Sequence, residues 1–463
     1  MKILLLSPPT TTELKEVLGL ANPPLGLAYL ASVARNKGHD VRIIEAIGEN
    51  KTFEDLHREL IHYDPDVVGI TATTSMIPDA YTLARMAKEI NPNTIVLIGG
   101  PHVTFVPEQT LKECPEIDIV VRGEGEQTFA ELLDEIEKQK EFKKVLGLTY
   151  RDRDGTIKST GPRPLIANVD NIPLPAFDLI NWDAYKFSGV RYGTIITSRG
   201  CPFQCIFCSS SLQFGKKYRA HSAERVLREI KILYDEYRIR EIEFLDDTFT
   251  LNRKRARKIA DMIINEGFDL SWSASSRVDT FDKMTGERMH KAGAHTIYFG
   301  LESGTQKILD YIGKRITLHQ SRDAVHMAKR IGFQALGSFI IGFPQETKED
   351  IKKTINFAKH VGVDYAQFTV ATPFPGTKLW YEALAKNLLL TKDWRKYTAI
   401  NVVMKSYHLS PKQILKLLRN AYISFYLRLG YILTDIIKHK GILFRKAIKY
   451  LLSPKKRKIV VNP

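Results

Sequence analysis

Apolar and polar positions follow two recurring patterns from the first residue onward. The short aliphatic runs Lys2–Leu6, Val41–Glu45, Val67–Thr71, Thr94–Ile98 and Ile117–Val121 read as strands. Between them, Leu25–Lys37, Phe53–Tyr63 and Pro78–Ile90 repeat apolar residues at helical spacing. Nearly continuous apolar strands separated by single helices predict a parallel, doubly wound (Rossmann-like) sheet over residues 1–160. Ligands of such sheets sit beyond the carboxyl ends of the strands. The loops there are Ser7-Pro8-Pro9, Thr71-Ala72-Thr73-Thr74, Gly99-Gly100-Pro101-His102 and Arg122-Gly123-Glu124-Gly125-Glu126. Small residues at these places let a backbone approach a large ligand closely.

Residues 161–188 are rich in proline and weakly periodic, and read as an extended surface linker. The alternation then resumes with candidate strands Tyr192–Thr197, Glu241–Leu245, Leu270–Ala274, Thr296–Leu301, Ala335–Ile341 and Tyr365–Ala371. Amphipathic helices are expected at Ala223–Tyr237, Arg253–Glu266, Gln320–Ile331 and Lys348–His360. Six such βα units over residues 189–382 suit a partial (β/α)6 barrel, with chemistry at the carboxyl ends of its strands. Residues 383–463 read as a helical, basic, tyrosine-bearing tail. The fold class expected is therefore α/β, with two domains and a helical extension.

Composition changes this picture little. The chain's 463 residues, 44% hydrophobic and 26% charged, suit two or three globular domains. The opening Met1–Ser7 runs into Pro8-Pro9, too short for a secretory signal, and no uncharged run reaches membrane-span length. The net charge of +16 sits mostly at the end: residues 411–463 carry nine Lys and four Arg against Asp435. The rest of the chain is nearly neutral, which argues against a nucleic-acid partner.

Three of the four cysteines fall within eight residues, in Cys201-Pro-Phe-Gln-Cys205-Ile-Phe-Cys208. That spacing is no disulfide framework, and it fits a metal site in a reducing, cytoplasmic setting. Zinc usually asks for paired knuckles or partner histidines, and His221 is poorly spaced for that. A [4Fe–4S] cluster held by three thiolates leaves one iron open for a small molecule.

Cys-x3-Cys-x-aromatic-Cys directly after the first strand of a partial barrel resembles the signature of radical S-adenosylmethionine (SAM) enzymes, and the likeness extends over residues 192–380. The resemblance implies that the open iron chelates SAM. An electron from a donor such as ferredoxin or flavodoxin then cleaves SAM to methionine and a 5′-deoxyadenosyl radical. Asp246 and Asp247, after the second strand, resemble the segment that meets the methionine ammonium, although one of them could instead cap the helix that follows. Glu302 resembles the acid that positions SAM, and Gly342 lies in the adenine-side segment. Ser275 and Arg277 are further SAM-facing candidates, the Arg also being able simply to bridge barrel helices.

The first domain resembles the cobalamin-dependent branch of that family, through Pro23–Ala31, Gly99–His102 and Arg122–Glu126. On this resemblance Pro9, Thr73, Gly99, Gly100, His102, Gly123 and Gly125 are the cobalamin-facing candidates. His102 can equally be an ordinary hydrogen-bonding residue. No Asp-x-His-x-x-Gly motif is present, which places the lower face of the cobalt near Thr73–Met76. A methylthiotransferase would need three more cysteines, and the first domain has only Cys114, read as a small buried hydrophobe. A non-enzymatic carrier would not need the cysteine motif together with every SAM-facing strand end. The implied activity is methylation of an unactivated carbon or phosphorus centre in a small-molecule, lipid or peptide substrate. Rearrangement, cyclisation or ring formation with the same cofactors is the alternative. The basic tail reads either as a helical layer packed on the barrel or as a peripheral anchor on an anionic membrane, with Tyr422, Tyr426 and Tyr431 at the interface.

Overall fold

In a computed structural model that describes residues 1–10, 22–138, 142–187 and 189–428, the strands of the first domain are β1 (Lys2–Ser7), β2 (Asp40–Glu45), β3 (Val67–Thr71), β4 (Ile95–Gly99), β5 (Ile119–Val121), β6 (Leu148–Arg151) and β7 (Ile157–Ser159). Among the described residues they form one sheet in the order β2-β1-β3-β4-β5-β6-β7. β1 to β5 pair in parallel, whereas β6 and β7 add antiparallel to the β5 edge, a departure from the all-parallel sheet that the pattern predicts. The short hairpin needs only a tight turn, so no crossover helix announced it.

Both faces of this sheet are covered, and the period of two sorts its strands between two cores. Ile3, Leu5, Val41 and Val67 face one core with Leu27, Phe129 and Leu132 of the flanking helices. Leu4, Leu6, Val68 and Ile98 face the other with Leu56, Leu60 and Leu83. The first core runs on through the linker into the second domain. Ile166, Ile172, Phe177, Trp182 and Tyr185 are all buried in it. The expected surface linker is thus a packed layer between the domains, because its apolar residues outnumber what a solvated strap could leave exposed.

The second domain comprises β8 (Lys186–Phe187), β9 (Val190–Ile195), β10 (Ser198–Arg199), β11 (Arg219–Ala220), β12 (Glu241–Phe244), β13 (Ser271–Ser276), β14 (Ala294–Glu302), β15 (Gln334–Ile341) and β16 (Tyr365–Val370). Its main sheet has the order β16-β15-β14-β13-β12-β9-β8, parallel from β9 to β16 with β8 antiparallel at one end. β10 and β11 form a separate antiparallel ribbon. Helices at Ala223–Asp235, Arg253–Glu266, Leu318–Ile331 and Lys348–His360 follow the strands. Their limits have local causes: Thr317 with Gln320 and Thr347 with Asp350 make capping boxes, and Gly267 and Gly332 end helices in the left-handed conformation.

The C-terminal region departs from the helical tail expected of it. After the helix Lys378–Ala385 the chain forms a bridge between Leu389 and Met404. The segment between turns back over the first domain and buries Trp394, Tyr397 and Val403 in that domain's second core. Only then does the helix Pro411–Tyr426 begin, at a capping box of Ser410 and Gln413. This helix packs Ile414, Leu417, Ala421 and Phe425 into the main core. It also closes the open edge of β16. The Tyr422 hydroxyl donates to Phe368 O (2.8 Å) and accepts from Phe368 N (3.2 Å). The Tyr426 hydroxyl does the same with Ala366 O (2.9 Å) and N (3.1 Å). One helical turn between the tyrosines matches two residues of strand, about 6 Å in each case, so the hydroxyls imitate a neighbouring strand. Of the two readings of this region, the described part of the helix forms the layer packed on the barrel, with Tyr422 and Tyr426 at the sheet edge, while Tyr431 and the basic residues from Lys438 to Lys458 lie outside the described residues. Among the described residues no helix is long and apolar enough to cross a membrane. Tyr422→Phe with Tyr426→Phe should lower stability by about 1–3 kcal/mol per hydroxyl, read from the denaturant midpoint, because each leaves edge groups unpaired. A loss well below 1 kcal/mol for the pair would show that water satisfies this edge equally well.

Candidate active site

The cysteine loop hangs between the two strands of the β10–β11 ribbon, just beyond the carboxyl end of β9. Gly200 turns the chain into the loop with φ +88°, and a Cβ there would lie 2.3 Å from Lys217 O. Cys201 N donates to Gly215 O, Ile206 N to Ile312 O, and Leu379 N to Ile206 O, so the loop is pinned at three points. Phe207, the aromatic residue of the motif, packs on Phe343 at 6.2 Å between ring centroids. Cys201, Cys205 and Cys208 are free thiols, each half-buried. Burial pushes the Cys201 thiol up to about 11. Burial also raises Cys205, opposed by the charges of Lys314 and Arg277.

The strand ends around this loop divide into engaged and available groups. Asp246 is engaged. It is 2% exposed and accepts hydrogen bonds from Thr197 N and Oγ1 (both 2.6 Å) and from the Ser198 hydroxyl. Burial holds its carboxyl above the usual range in spite of these bonds and of Arg255. The carboxylate therefore secures the strand that leads into the cysteine loop rather than facing a ligand. Asp247 is the more open neighbour: the residue is exposed, and enclosure by the surrounding protein raises its carboxyl in spite of a hydrogen bond with Ser210. It does not cap the helix Arg253–Glu266, since Asn252 fills that role.

Glu302 ends β14 with φ +62°, a strained conformation for a residue with a side chain. Its Oε1 accepts from Lys314 Nζ at 2.7 Å, and both side chains are nearly buried at 7% and 8% exposure. The pair lies over Gly300, where a Cβ would fall 2.5 Å from Glu302 Oε1. Arg277 stacks its guanidinium 3.4 Å from the centroid of the Phe203 ring inside the cysteine loop, pairs with Asp279, and donates to Lys314 O. Its Nε and Nη2 donors thus serve the loop and its support. Ser275 is half-buried on β13, in register with Tyr298 of β14. Gly342, φ +86°, donates its N–H to Glu346 Oε2, and a Cβ there would meet Ile414 of the last helix. Burial lifts Glu346 to about 8. Lys314 and Glu346 were not read from the sequence. The turn glycine Gly313 beside Lys314 was the available signal, and it is a weak one.

The first sheet has its topological switch point between β1 and β3, where the order reverses. A cavity of about 530 Å³ opens there, lined by Ser7, Thr10, Thr71 and Thr73–Met76 from the strand ends, with Glu45 and Ile47. Phe374, Tyr397, Thr398 and Ala399 of the C-terminal region close its far wall. Thr73 is the one cobalamin-facing candidate from the sequence that lines this cavity. Gly100 packs behind it, φ +110°, where a Cβ would lie 3.0 Å from Ala72 O. Gly99 and Gly123 leave room for a side chain, and Gly125 opens the helix Gly125–Glu137 against Leu30. Pro9 lies in the loop between Ser7 and Thr10. His102 stands behind the wall, 2% exposed, with Nδ1 3.3 Å from the Thr74 hydroxyl and its ring edge-on to Trp394 at 4.7 Å. Burial lowers it to about 3, so it stays neutral and supports Thr74. Cys114 is fully buried, as read.

Comparison with known proteins agrees with this geometry. Residues 14–133 match the B12 binding domain and residues 195–358 the radical SAM superfamily. A protein of Pyrococcus horikoshii named as an uncharacterized methyltransferase is 58% identical over 98% of both chains. The chain belongs to the cobalamin-dependent radical SAM enzymes. The anaerobic magnesium-protoporphyrin IX monomethyl ester cyclase of Cereibacter sphaeroides is 32% identical over 88% of this chain and 67% of its own. Among solved structures, the radical SAM methyltransferase TsrM of Kitasatospora setae, with cobalamin and a [4Fe–4S] cluster bound, superposes with a TM-score of 0.69. It is 17% identical and aligns over 83% of this chain and 75% of its own, a likeness of fold.

As a radical SAM enzyme the chain uses a [4Fe–4S] cluster, SAM and cobalamin, and its residues fit all three. Among the described residues no three His, Cys, Asp or Glu side chains converge on a single ion position. A cluster would take its thiolates from Cys201, Cys205 and Cys208 of the one loop, each on a different iron. Asp247 is exposed just beyond β12 and Ser275 is half-buried near the end of β13, while Glu302 and Lys314 form a buried pair at the end of β14. The hydroxyl-rich cavity at the switch point, with Gly26 in its wall, matches a flat ligand rimmed with amides.

Proposed function

We propose that this chain methylates an unactivated carbon or phosphorus centre of a small molecule. The carrying observation is a shared wall. Phe374, four residues past the end of β16, lies in the wall of the cavity of the first sheet, and Val370 N at the end of β16 donates to Ala399 O of the same wall. This wall supports a reading in which the cobalamin cavity opens toward the carboxyl ends of the half-barrel strands. When bound, the cluster and SAM supply a hydrogen-abstracting radical, and cobalamin supplies the methyl group. The protein's part is to hold these groups apart and in line, and to keep water out. Thr73–Met76, which line the cavity, would meet the corrin when it is bound. Asp247 takes the ammonium of SAM, Glu302 is held ready by Lys314, and Ser275 meets the nucleoside. An external low-potential donor delivers the electron. The basic set that suggests a role for the tail at an anionic surface begins with Lys412, Lys416, Arg419 and Arg428 and continues beyond residue 428.

Each turnover is expected to release S-adenosylhomocysteine and 5′-deoxyadenosine in equal amounts, because the two SAM molecules meet different fates. Chromatography of an anaerobic reaction with the true substrate reads this ratio. Product accompanied by 5′-deoxyadenosine without S-adenosylhomocysteine would replace methyl transfer by cyclisation, the reading that the similarity to the magnesium-protoporphyrin ester cyclase supports.

A further inference from the structure

The ribbon that brackets the cysteine loop is gripped by the first domain. Arg199 and Arg219 are cross-strand partners on β10 and β11, one at each foot of the loop. Both point into a buried site with Glu124, the N-cap of the helix Gly125–Glu137, and Glu126 in that helix's first turn. The side chains of Arg199, Arg219 and Glu124 are less than a tenth exposed and that of Glu126 is 10% exposed. Arg199 Nη2 donates to Glu126 Oε1, while its Nη1 donates to Glu126 Oε2 (3.2 Å) and to Glu124 Oε1 (3.1 Å). Arg219 Nη1 donates to both oxygens of Glu124, at 2.9 and 2.8 Å, and to Ile166 O. Glu124 Oε2 also accepts from Ile166 N at 2.8 Å. Two carboxylates and two guanidinium groups cancel in charge, and bidentate geometry fixes both distance and direction.

This arrangement does more than glue two domains together. Arg199 is separated from Cys201 only by Gly200, whose positive φ leaves little freedom for readjustment. From the barrel side, Asp246 holds the adjoining Thr197 and Ser198. The foot of the loop is therefore located by two carboxylate groups from one domain and by one from the other. A hydrophobic interface of equal area would permit sliding, whereas directional ion pairs set one register.

We propose that Glu124 and Glu126 are positioning residues: they clamp both feet of the cysteine loop, so that the cobalamin-binding domain itself fixes where the cluster sits relative to the corrin. The proposal rests on the two cofactors occupying the sites described above, and is independent of which group is transferred. Methyl transfer could fail while the clamp stands, and the reverse.

The test is the magnetic interaction between the reduced cluster and cob(II)alamin in the reconstituted full-length protein, measured by pulsed electron paramagnetic resonance. It needs no substrate. Four proteins are compared: the native chain, Glu126→Gln, Arg199→Lys, and the charge-balanced double variant Glu126→Gln with Arg199→Gln. The double variant leaves Glu124 paired with Arg219 and no uncompensated charge, so it retains the fold even where the single variant does not. Iron, sulfide and cobalamin contents serve as controls. The native chain should give one narrow distribution of cluster-to-cobalt distances. The double variant, at equal cofactor content, should give a distribution at least about twice as broad or shifted, and Arg199→Lys should fall between. A shift of about 1 Å is enough to matter, since misplacement on that scale costs on the order of 100-fold in rate. A double variant with full cofactor content and the native distribution would overturn the clamp. So would a distribution in the native chain already as broad as in the variant.

Discussion

Replacing Cys201, Cys205 and Cys208 together by alanine is expected to abolish both the iron–sulfur absorbance near about 400 nm and all cleavage of SAM. The three thiols share one loop, pinned at Cys201, Ile206 and the Leu379 contact, so they present a fixed triangle before any iron arrives. Each is half-buried, which shields a cluster from solvent while leaving the sulfur reachable. Burial disfavours a bare thiolate at these positions, and iron ligation removes that penalty by replacing the proton. Cys114→Ala is the matched control. It empties a fully buried position in the first domain, costing some stability, and should leave cluster content and SAM cleavage unchanged. A triple variant that still took up a full cluster and cleaved SAM would remove the basis of the assignment.

The second large effect is expected at Lys314. Its ammonium, 8% exposed, is paired with a Glu302 carboxylate that is 7% exposed. Lys314→Met should cost about 3–5 kcal/mol of stability, since it strands a buried carboxylate beside a strained backbone. Adding Glu302→Gln should restore most of that loss, because removing a whole buried pair is often nearly neutral. Affinity for SAM should behave differently and stay weak in the double variant, which lacks the acid proposed to position SAM. Denaturant midpoints and equilibrium binding of SAM to the reconstituted proteins separate the two. A single variant within about 1 kcal/mol of the native chain would mean that water already screens the pair.

Much of this was legible in the order of residues. The strands Val67–Thr71 and Glu241–Phe244 and the helices Phe53–Tyr63, Arg253–Glu266 and Lys348–His360 coincide with their apolar patterns, because period and cap are both local properties. The cysteine loop was legible too, since its spacing alone carries chemistry. Groups that act across the chain were not. Asp246 and Asp247 look alike in sequence, yet one turns back to Thr197 and Ser198 while the other is exposed, a choice made by strand direction. Residues 161–185 look like a strap because proline and helical period are both local signals, while burial of Phe177 and Trp182 depends on two domains meeting. The segment around Trp394 shows no period at all. It is ordered by packing against His102, Trp380 and Tyr397, contacts with partners scattered through the chain. Tyr422 and Tyr426 suit a membrane interface and a sheet edge equally well, since both offer one apolar and one polar side.

The most direct measurement is made on the native chain without substrate. The anaerobically reconstituted protein is reduced with dithionite, given SAM, and the products are separated by chromatography. Methionine and 5′-deoxyadenosine should form in equal amounts, in proportion to cluster content, and disappear when the reductant is left out. A chain with a full, reducible cluster that binds SAM and yet releases no 5′-deoxyadenosine would contradict a radical SAM enzyme at its root.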